Sequence, residues 1–200
     1  MPESAVSAPA RNLELKVACT GADLAEVRTR LATLGVAIVE RLRQVDTYLR
    51  AANGRLKLRT IVPIGEDGAD AAGARAELIG YERADRTGSR WSSYHVVAIP
   101  PAEADPLRST LAATIGILVQ VEKRRDIAIL GATRIHLDQV MGLGTFIELE
   151  TVIAGQADAE AEREHQHVIT TLGLDRWAAV PGSYSDLLLA KQAGDRNAGS

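Results

Sequence analysis

Most of the chain alternates polar and apolar residues with the two-residue period of a β-strand. The segment 12–18, NLELKVA, shows this alternation, and so does 55–64, RLKLRTIVPI, which follows the hairpin turn signal Asn53-Gly54. Within FIELE, residues 146–150, Glu148 and Glu150 lie on one face and the apolar residues on the other. Strands are predicted at 12–18, 36–50, 55–64, 76–83, 91–99, 119–130, 134–141 and 146–150.

Four segments between or after these strands have the spacing of helices. In 22–34 the apolar residues Leu24, Val27, Leu31 and Leu34 recur at helical intervals, and Gly35 follows as a stop signal. Further helices are predicted at 101–115, which begins with proline, at 159–172, which Gly173 closes, and at 184–191. The Gly-, Ala- and Asp-rich segment 65–73 is predicted to be a loop.

Composition and charge limit the class of protein. With 200 residues, 46% of them hydrophobic, the chain is long enough for one globular domain, which we expect at 11–190 between disordered segments at 1–10 and 191–200. The net charge of -3 disfavours a nucleic acid or an anionic membrane as partner. The single cysteine, Cys19, and the lack of a long apolar run predict a soluble, cytoplasmic protein.

The distribution of charge over the strands points to a binding site. One wet face of an antiparallel sheet explains each alternating strand taken alone. Bases nevertheless collect on strand faces of an acidic chain, and they would repel one another unless an anion or carboxylates neutralise them. A polyphosphate bridged by a divalent cation satisfies both the bases and the carboxylates. The bases are Arg55, Lys57, Arg59, Lys123, Arg125 and Arg134, and the carboxylates are Glu14, Asp138, Glu148 and Glu150.

At this point the chain resembles the CYTH superfamily, which joins class IV adenylate cyclases and thiamine triphosphatases. The resemblance extends over nearly the whole chain. Within the superfamily, the chain is most similar to the cyclase-like branch. The resemblance implies an α+β fold in which an eight-stranded antiparallel closed β-barrel forms a triphosphate tunnel, with helices packed outside and the charged faces inside. The matching segments are RNLELKV at 11–17, QVDTYL at 44–49, GRLKLR at 54–59, LIGYERAD at 78–85, RWSSY at 90–94, VEKRRDIAIL at 121–130, RIHLDQVMGLGTFIELE at 134–150 and YSDLL at 184–188.

The resemblance also implies roles for individual residues. Lys16 takes the catalytic position beside the reacting phosphate. Asn12 stands where the family has the first glutamate of its Glu-x-Glu-x-Lys signature, so this end of the site lacks one charge. The implied phosphate-binding bases are Lys57, Arg59, Arg83, Lys123, Arg125 and Arg134, with Arg55 as a weaker candidate. The implied ligands of Mg²⁺ or Mn²⁺ are Glu14, Asp138, Glu148 and Glu150.

Two reactions fit such a site, and a third reading remains open. The cyclase-like reading, ATP to cyclic AMP and pyrophosphate, is the first choice. A triphosphatase acting on an organic or inorganic triphosphate is the alternative, and a nucleotide- or polyphosphate-binding module without turnover is the third. The expected partner is a small triphosphate such as ATP, without nucleic acid or membrane, and a homodimer is open on family analogy alone. We further expect Glu148→Gln to impair metal-dependent activity and to leave the fold intact.

Several other residues have structural and functional interpretations. His136 shares a predicted face with Asp138, and a hydrogen-bonded interior histidine is favoured over a metal ligand. Asp46 and Tyr48 have two interpretations, lining the mouth of the tunnel or bracing it, and bracing is favoured. Lys16 has an alternative role as the partner of an interior glutamate. His165 and His167, on a predicted helix, are expected at the surface.

Overall fold

The computed structural model describes residues 10–83, 90–153 and 155–198. Its strands are β1 (Ala10–Cys19), β2 (Ile38–Leu49), β3 (Arg55–Pro63), β4 (Arg75–Arg83), β5 (Arg90–Ile99), β6 (Ile117–Leu130), β7 (Thr133–Val140) and β8 (Gly144–Ile153). Its helices are α1 (Gly21–Thr33), α2 (Pro101–Thr114), α3 (Asp158–Leu172) and α4 (Tyr184–Ala198), with a short 3₁₀ turn at Leu174–Arg176.

The eight strands form one curled antiparallel sheet in the order β1-β5-β4-β3-β2-β6-β7-β8. Strand β1 pairs with β8 from Arg11 to Cys19 and with β5 from Ala10 to Glu14. The prediction of an α+β fold with eight antiparallel strands is therefore confirmed. The curl directs one face of every strand inward, so alternate residues of β1 face the interior.

Apolar residues on the outer face hold two helices against the sheet. Leu15 and Val17 of β1 belong to a buried cluster with Leu24 and Val27 of α1 and Val168 of α3. Helix α1 begins at a capping box, in which Thr20 and Asp23 bond to each other's backbone N–H groups. The helical periodicity of 22–34 thus reflects packing on the outside of the curled sheet.

The last helix is longer than predicted. Helix α4 continues to Ala198, so the expected tail at 191–200 is wrong for residues 191–198. Ala, Lys, Gln and Arg in this stretch are good helix formers, and the helix continues although residues 191–197 are exposed. The other part of that tail, 199–200, and residues 1–9 of the expected N-terminal segment lie outside the described residues.

One of the two helix histidines is buried rather than exposed. His165 packs against the outer face of β8, where its Nδ1 lies 2.7 Å from the Thr151 hydroxyl, whereas His167 is exposed as predicted. Burial lowers the pKa of His165 to about 4. The prediction that His165 lies at the surface is wrong because helix α3 packs the side that carries His165 against the sheet.

No helix in the described ranges combines the length and the apolar character that crossing a membrane requires.

Candidate functional site

The curled sheet surrounds a cavity of about 510 Å³ whose lining combines charged and apolar side chains. Several ionic residues in it are buried as fully as the apolar core: Lys16 is 2% exposed and Asp46 is 3% exposed. Charges at this depth are costly unless they are paired and hydrogen-bonded. The charged faces therefore line an interior rather than a wet surface of the sheet.

Asp46 holds two of the bases on one wall of the cavity. Its carboxylate accepts a hydrogen bond from Lys57 Nζ at 3.1 Å. It also accepts two from Arg59, from Nε at 2.8 Å and from Nη2 at 3.2 Å. Gln44 donates to the same carboxylate. Burial opposes the ionisation of Asp46, but Arg59 and Lys57 outweigh it and hold its pKa well below the usual range. Asp46 braces these bases, as expected.

Asp138 organises a second group of charges on the neighbouring strands β6 and β7. Arg125 donates to both of its carboxylate oxygens, at 2.6 and 2.5 Å, and Lys123 Nζ lies 3.6 Å away. The Tyr184 hydroxyl, at the start of α4, donates to it as well, at 2.8 Å. Asp138 is fully buried and does not line the cavity. These contacts fit a role in positioning Arg125 better than they fit a role as a metal ligand.

Glu148 connects Lys16 to Arg125. Its carboxylate lies 3.3 Å from Lys16 Nζ and accepts a hydrogen bond from Arg125 at 2.7 Å. The Lys16 ammonium also lies 4.0 Å from the centre of the Tyr184 ring and 3.5 Å from the Gly182 carbonyl oxygen. The ion pair considered for Lys16 is thus present. We call the end of the cavity next to Tyr184 the inner end.

Carboxylates gather farther along β1 and β8. Glu14 and Glu150 are direct cross-strand partners, so two like charges face each other. The Tyr94 hydroxyl donates to Glu14, while Glu150 accepts from Asn12 at 2.5 Å and from Arg134 at 3.0 Å. Asn12 therefore supplies a hydrogen-bond donor beside the carboxylate pair, where the family signature has a third carboxylate.

His136 lies between Glu148 and Glu150. Its Nδ1 is 3.7 Å from Glu148 and its Nε2 is 3.9 Å from Glu150, and the buried Nδ1 has no hydrogen-bond partner within bonding distance. Burial and the charge of Arg125 lower the pKa of His136. The expectation of a hydrogen-bonded histidine is thus not met at Nδ1.

Two lysines of the cavity have strongly lowered pKa values. Burial, reinforced by Arg59, lowers the pKa of Lys57 to about 8. Burial and Arg125 lower the pKa of Lys123 to about 7. Both lysines therefore change charge near neutral pH, because a desolvated ammonium among other cations readily loses its proton.

The structure brings together most of the residues that the sequence singled out. Arg55 does not line the cavity and instead binds Asp186 and Ser183 at the base of α4. Arg83 lies on β4, and its side chain is outside the described residues. The predicted residues that line the cavity are Glu14, Lys16, Lys57, Arg59, Lys123, Arg125, Arg134, Glu148 and Glu150.

Tyr184 is the residue whose role the sequence did not indicate. Its hydroxyl donates to Asp138, and its ring faces the ammonium of Lys16 and that of Lys123, whose Nζ lies 4.9 Å from the ring centre. Tyr184 therefore connects strands β7, β1 and β6 at the inner end. Its position depends on a tertiary contact in which Val180 donates to the Lys16 carbonyl oxygen at 2.8 Å. The segment YSDLL was matched to the family without a role, and a tyrosine at a helix start gives no local signal of such contacts.

Fold and cavity together define an α+β protein with a curled antiparallel sheet and an ionic interior. The CYTH domain family matches residues 10–184, so the chain belongs to this family. A search of curated proteins gave no match.

Solved structures share this fold at low sequence identity. The PH1012 protein of Pyrococcus horikoshii OT3 is 21% identical, with a TM-score of 0.68 over 88% of this chain and 98% of its own. The PH1819 protein of the same organism is 19% identical, with a TM-score of 0.66 over 90% and 99%. A proposed adenylate cyclase from Vibrio parahaemolyticus is 18% identical, with a TM-score of 0.63 over 88% and 97%. These likenesses show the fold.

Proposed function

We propose that this protein is a metal-dependent enzyme that cleaves the triphosphate group of a small organic molecule. The observation that supports this proposal most strongly is the excess of buried positive charge at the inner end of the cavity. Five bases face three carboxylates there, and Glu77 lies 3.9 Å from Arg59, so one positive charge is left over when the lysines are protonated. The bases are Lys16, Lys57, Arg59, Lys123 and Arg125, and the carboxylates are Asp46, Asp138 and Glu148.

A triphosphate with one divalent cation would neutralise this charge. The triphosphate carries about four negative charges, and one divalent cation lowers this to about two. Arg59 and Arg125 present planar donors suited to phosphate oxygens, and Lys57 and Lys123 add point charges beside them. In this proposal the sheet closes as a barrel around the substrate, and Lys16 stabilises the charge that develops on the reacting phosphate.

The carboxylates Glu14 and Glu150 suit a Mg²⁺ or Mn²⁺ ion. In the described part of the chain, no three His, Cys, Asp or Glu side chains form a ready-made metal site. Mg²⁺ is commonly held by one or two carboxylates together with substrate phosphates, and the facing carboxylates of Glu14 and Glu150, with Glu148 next to them on β8, offer that arrangement. The ion would neutralise phosphate charge and polarise a phosphorus–oxygen bond.

Replacing Asn12 with glutamate is expected to raise the affinity for Mn²⁺ by about tenfold, because a third carboxylate then faces the same space. Titration of Mn²⁺ followed by electron paramagnetic resonance measures the free ion directly. Asn12→Gln is the matched control and should stay within about twofold of the wild type. Equal affinities in Asn12→Glu and the wild type would place the metal away from this end of β1.

The lowered lysine pKa values predict that substrate binding takes up protons. At pH 8, Lys123 is mostly neutral and Lys57 is about half protonated, whereas a bound polyphosphate favours the ammonium form of both. We expect an uptake of about one proton per tripolyphosphate at pH 8, smaller at pH 6.5, where both lysines already carry most of their charge. Calorimetry in buffers of different ionisation heat measures the uptake. The Lys123→Met variant should lose most of it, and an undiminished uptake in that variant would refute the assignment.

Product analysis tests the proposed activity. The pure protein is incubated with ATP, thiamine triphosphate or tripolyphosphate and Mn²⁺, and the products are separated by chromatography. Cyclic AMP plus pyrophosphate would identify the cyclase reaction, and a diphosphate plus phosphate would identify hydrolysis. Turnover of none of the three, with tripolyphosphate bound, would favour a binding module instead of an enzyme.

A further inference from the structure

Three strands change from ionic to aliphatic along their cavity-facing residues. The change runs in the same direction on each strand, away from Tyr184 and toward the opposite end of the cavity, which we call the outer end. The series are Lys57, Arg59 and Ile61 on β3; Lys123, Arg125, Ile127 and Ile129 on β6; and Glu148, Glu150 and Val152 on β8; on β2, Asp46, Gln44 and Leu42 are followed by Glu40.

Strand register brings these aliphatic ends to the same end of the cavity. Ile61 of β3 is paired with Gln44, one cavity-facing step from Leu42 of β2. Leu42 is in turn paired with Arg125, the residue that precedes Ile127 in the β6 series. The outer half of the cavity therefore contains aliphatic side chains from neighbouring strands, next to the ion pair of Arg75 and Glu40.

Three of the aliphatic residues that line the cavity are largely exposed. Val39 is 59%, Val96 is 54% and Ile129 is 49% exposed, and they come from β2, β5 and β6. Single exposed apolar residues are common on protein surfaces. Three that line one cavity form a surface that an apolar ligand would bury with a gain in free energy.

The charged groups at the outer end are paired with one another. Arg75 and Glu40 are 2.7 Å apart, and Arg134 donates to Glu150 at 3.0 Å. The aromatic side chains among the described lining residues are Tyr48, Tyr81, Tyr94 and Tyr184. Of these, Tyr48 and Tyr81 flank Lys57 within the ionic part of the cavity, with their ring centres 5.4 and 5.5 Å from Lys57 Nζ. The exposed outer lining therefore combines these ion pairs with aliphatic side chains.

We propose that the outer end binds an aliphatic group, so that the substrate is an amphiphile with its triphosphate at the inner end and a hydrocarbon portion among Val39, Val96 and Ile129. This proposal rests on the proposed function and specifies its substrate class. A hydrocarbon ester has no ribose hydroxyl for cyclisation, so the reaction is hydrolysis. Water attacks the terminal phosphorus, the bond to the bridging oxygen breaks, its electron pair leaves with the organic diphosphate, and the water's proton passes to the released phosphate.

A series of alkyl triphosphates tests the proposal by calorimetric binding. Methyl, butyl and octyl triphosphate share one ionic group, so differences between them report only on the hydrocarbon. Each buried methylene should raise the affinity by about two- to fourfold until the outer end is filled. We expect octyl triphosphate to bind at least tenfold more tightly than methyl triphosphate, and more tightly than ATP.

Neighbouring valines of β5 provide a matched pair of variants. Val96 lines the cavity and Val97 points to the other face, with 54% and 56% exposure. The double variant Val39→Thr/Val96→Thr keeps the β-branched shape and should lower octyl triphosphate affinity about fivefold, with methyl triphosphate affinity unchanged. Val97→Thr should change neither affinity.

Equal affinities of the wild type for methyl and octyl triphosphate would overturn the aliphatic site while leaving triphosphate binding intact. Tighter binding of ATP than of octyl triphosphate, or an equal effect of Val97→Thr, would also overturn it. Failure of every probe to bind, tripolyphosphate included, would overturn the proposed function itself.

Discussion

Replacing Glu148 with glutamine is expected to abolish triphosphate cleavage and also to destabilise the protein by about 3 kcal/mol. The second effect reverses the expectation from the sequence, in which removal of a like charge beside Glu150 leaves the fold intact. Glu148 bonds to Arg125 at 2.7 Å and lies 3.3 Å from Lys16, so the neutral amide removes the carboxylate partner of Lys16 and one of the two carboxylate partners of Arg125. Isothermal unfolding in urea at pH 7 measures the loss.

The pH dependence of this effect follows from the pKa of Glu148. Burial favours the neutral acid, but Lys16, His136 and Arg125 together hold the pKa well below its ordinary value. A lowered pKa gives stability that is present above the unfolded-state value and is lost as the pH falls toward the folded-state value. The difference between wild type and Glu148→Gln should therefore shrink below about pH 4.5. The exposed Glu162→Gln is the control, and equal stability of Glu148→Gln and wild type at pH 7 would contradict this ion-pair account.

Replacing Lys57 and Lys123 together with methionine is expected to lower tripolyphosphate affinity by at least two orders of magnitude. Each hydrogen bond from a charged group contributes about 1.5–3 kcal/mol, and the double variant removes two such donors. Methionine preserves the length of the buried stem. Asp46 keeps Arg59 as a partner and Asp138 keeps Arg125, so neither carboxylate is left unpaired.

The matched control for this variant is Lys191→Met. Lys191 is exposed on α4 and bonds to the Gly142 carbonyl oxygen, away from the cavity lining. Calorimetric titration of tripolyphosphate at pH 6.5 compares the three proteins while the native lysines are mostly charged. A double variant that binds within threefold of the wild type would show that polyphosphate binds elsewhere.

The sequence predicted the strands well because the two-residue alternation survives curling of the sheet. It did not determine which face would be inside, since a wet face and a cavity face alternate identically; Glu14 and Lys16 gained that assignment only from the family resemblance. Arg134 and Glu150 pair across β7 and β8 because the short turn between these strands fixes their register.

Contacts between distant elements were the part that the sequence could not supply. Asp138 was assigned to metal by matching position, whereas Tyr184, 46 residues away along the chain, and Arg125 surround its carboxylate. Arg55 shares the cavity-facing parity of Lys57, but the base of α4 draws it to Asp186. Both outcomes depend on where the last helix docks, and no local pattern encodes that position.

The central claim is that buried bases of the curled sheet bind a polyphosphate inside its cavity, and a crystal structure of the protein grown with tripolyphosphate and Mn²⁺ tests it most directly. The account predicts phosphate density between Lys57, Arg59, Lys123 and Arg125, with the metal beside Glu14 and Glu150. Tripolyphosphate bound on the outer surface, with the cavity ion pairs unchanged, would contradict it.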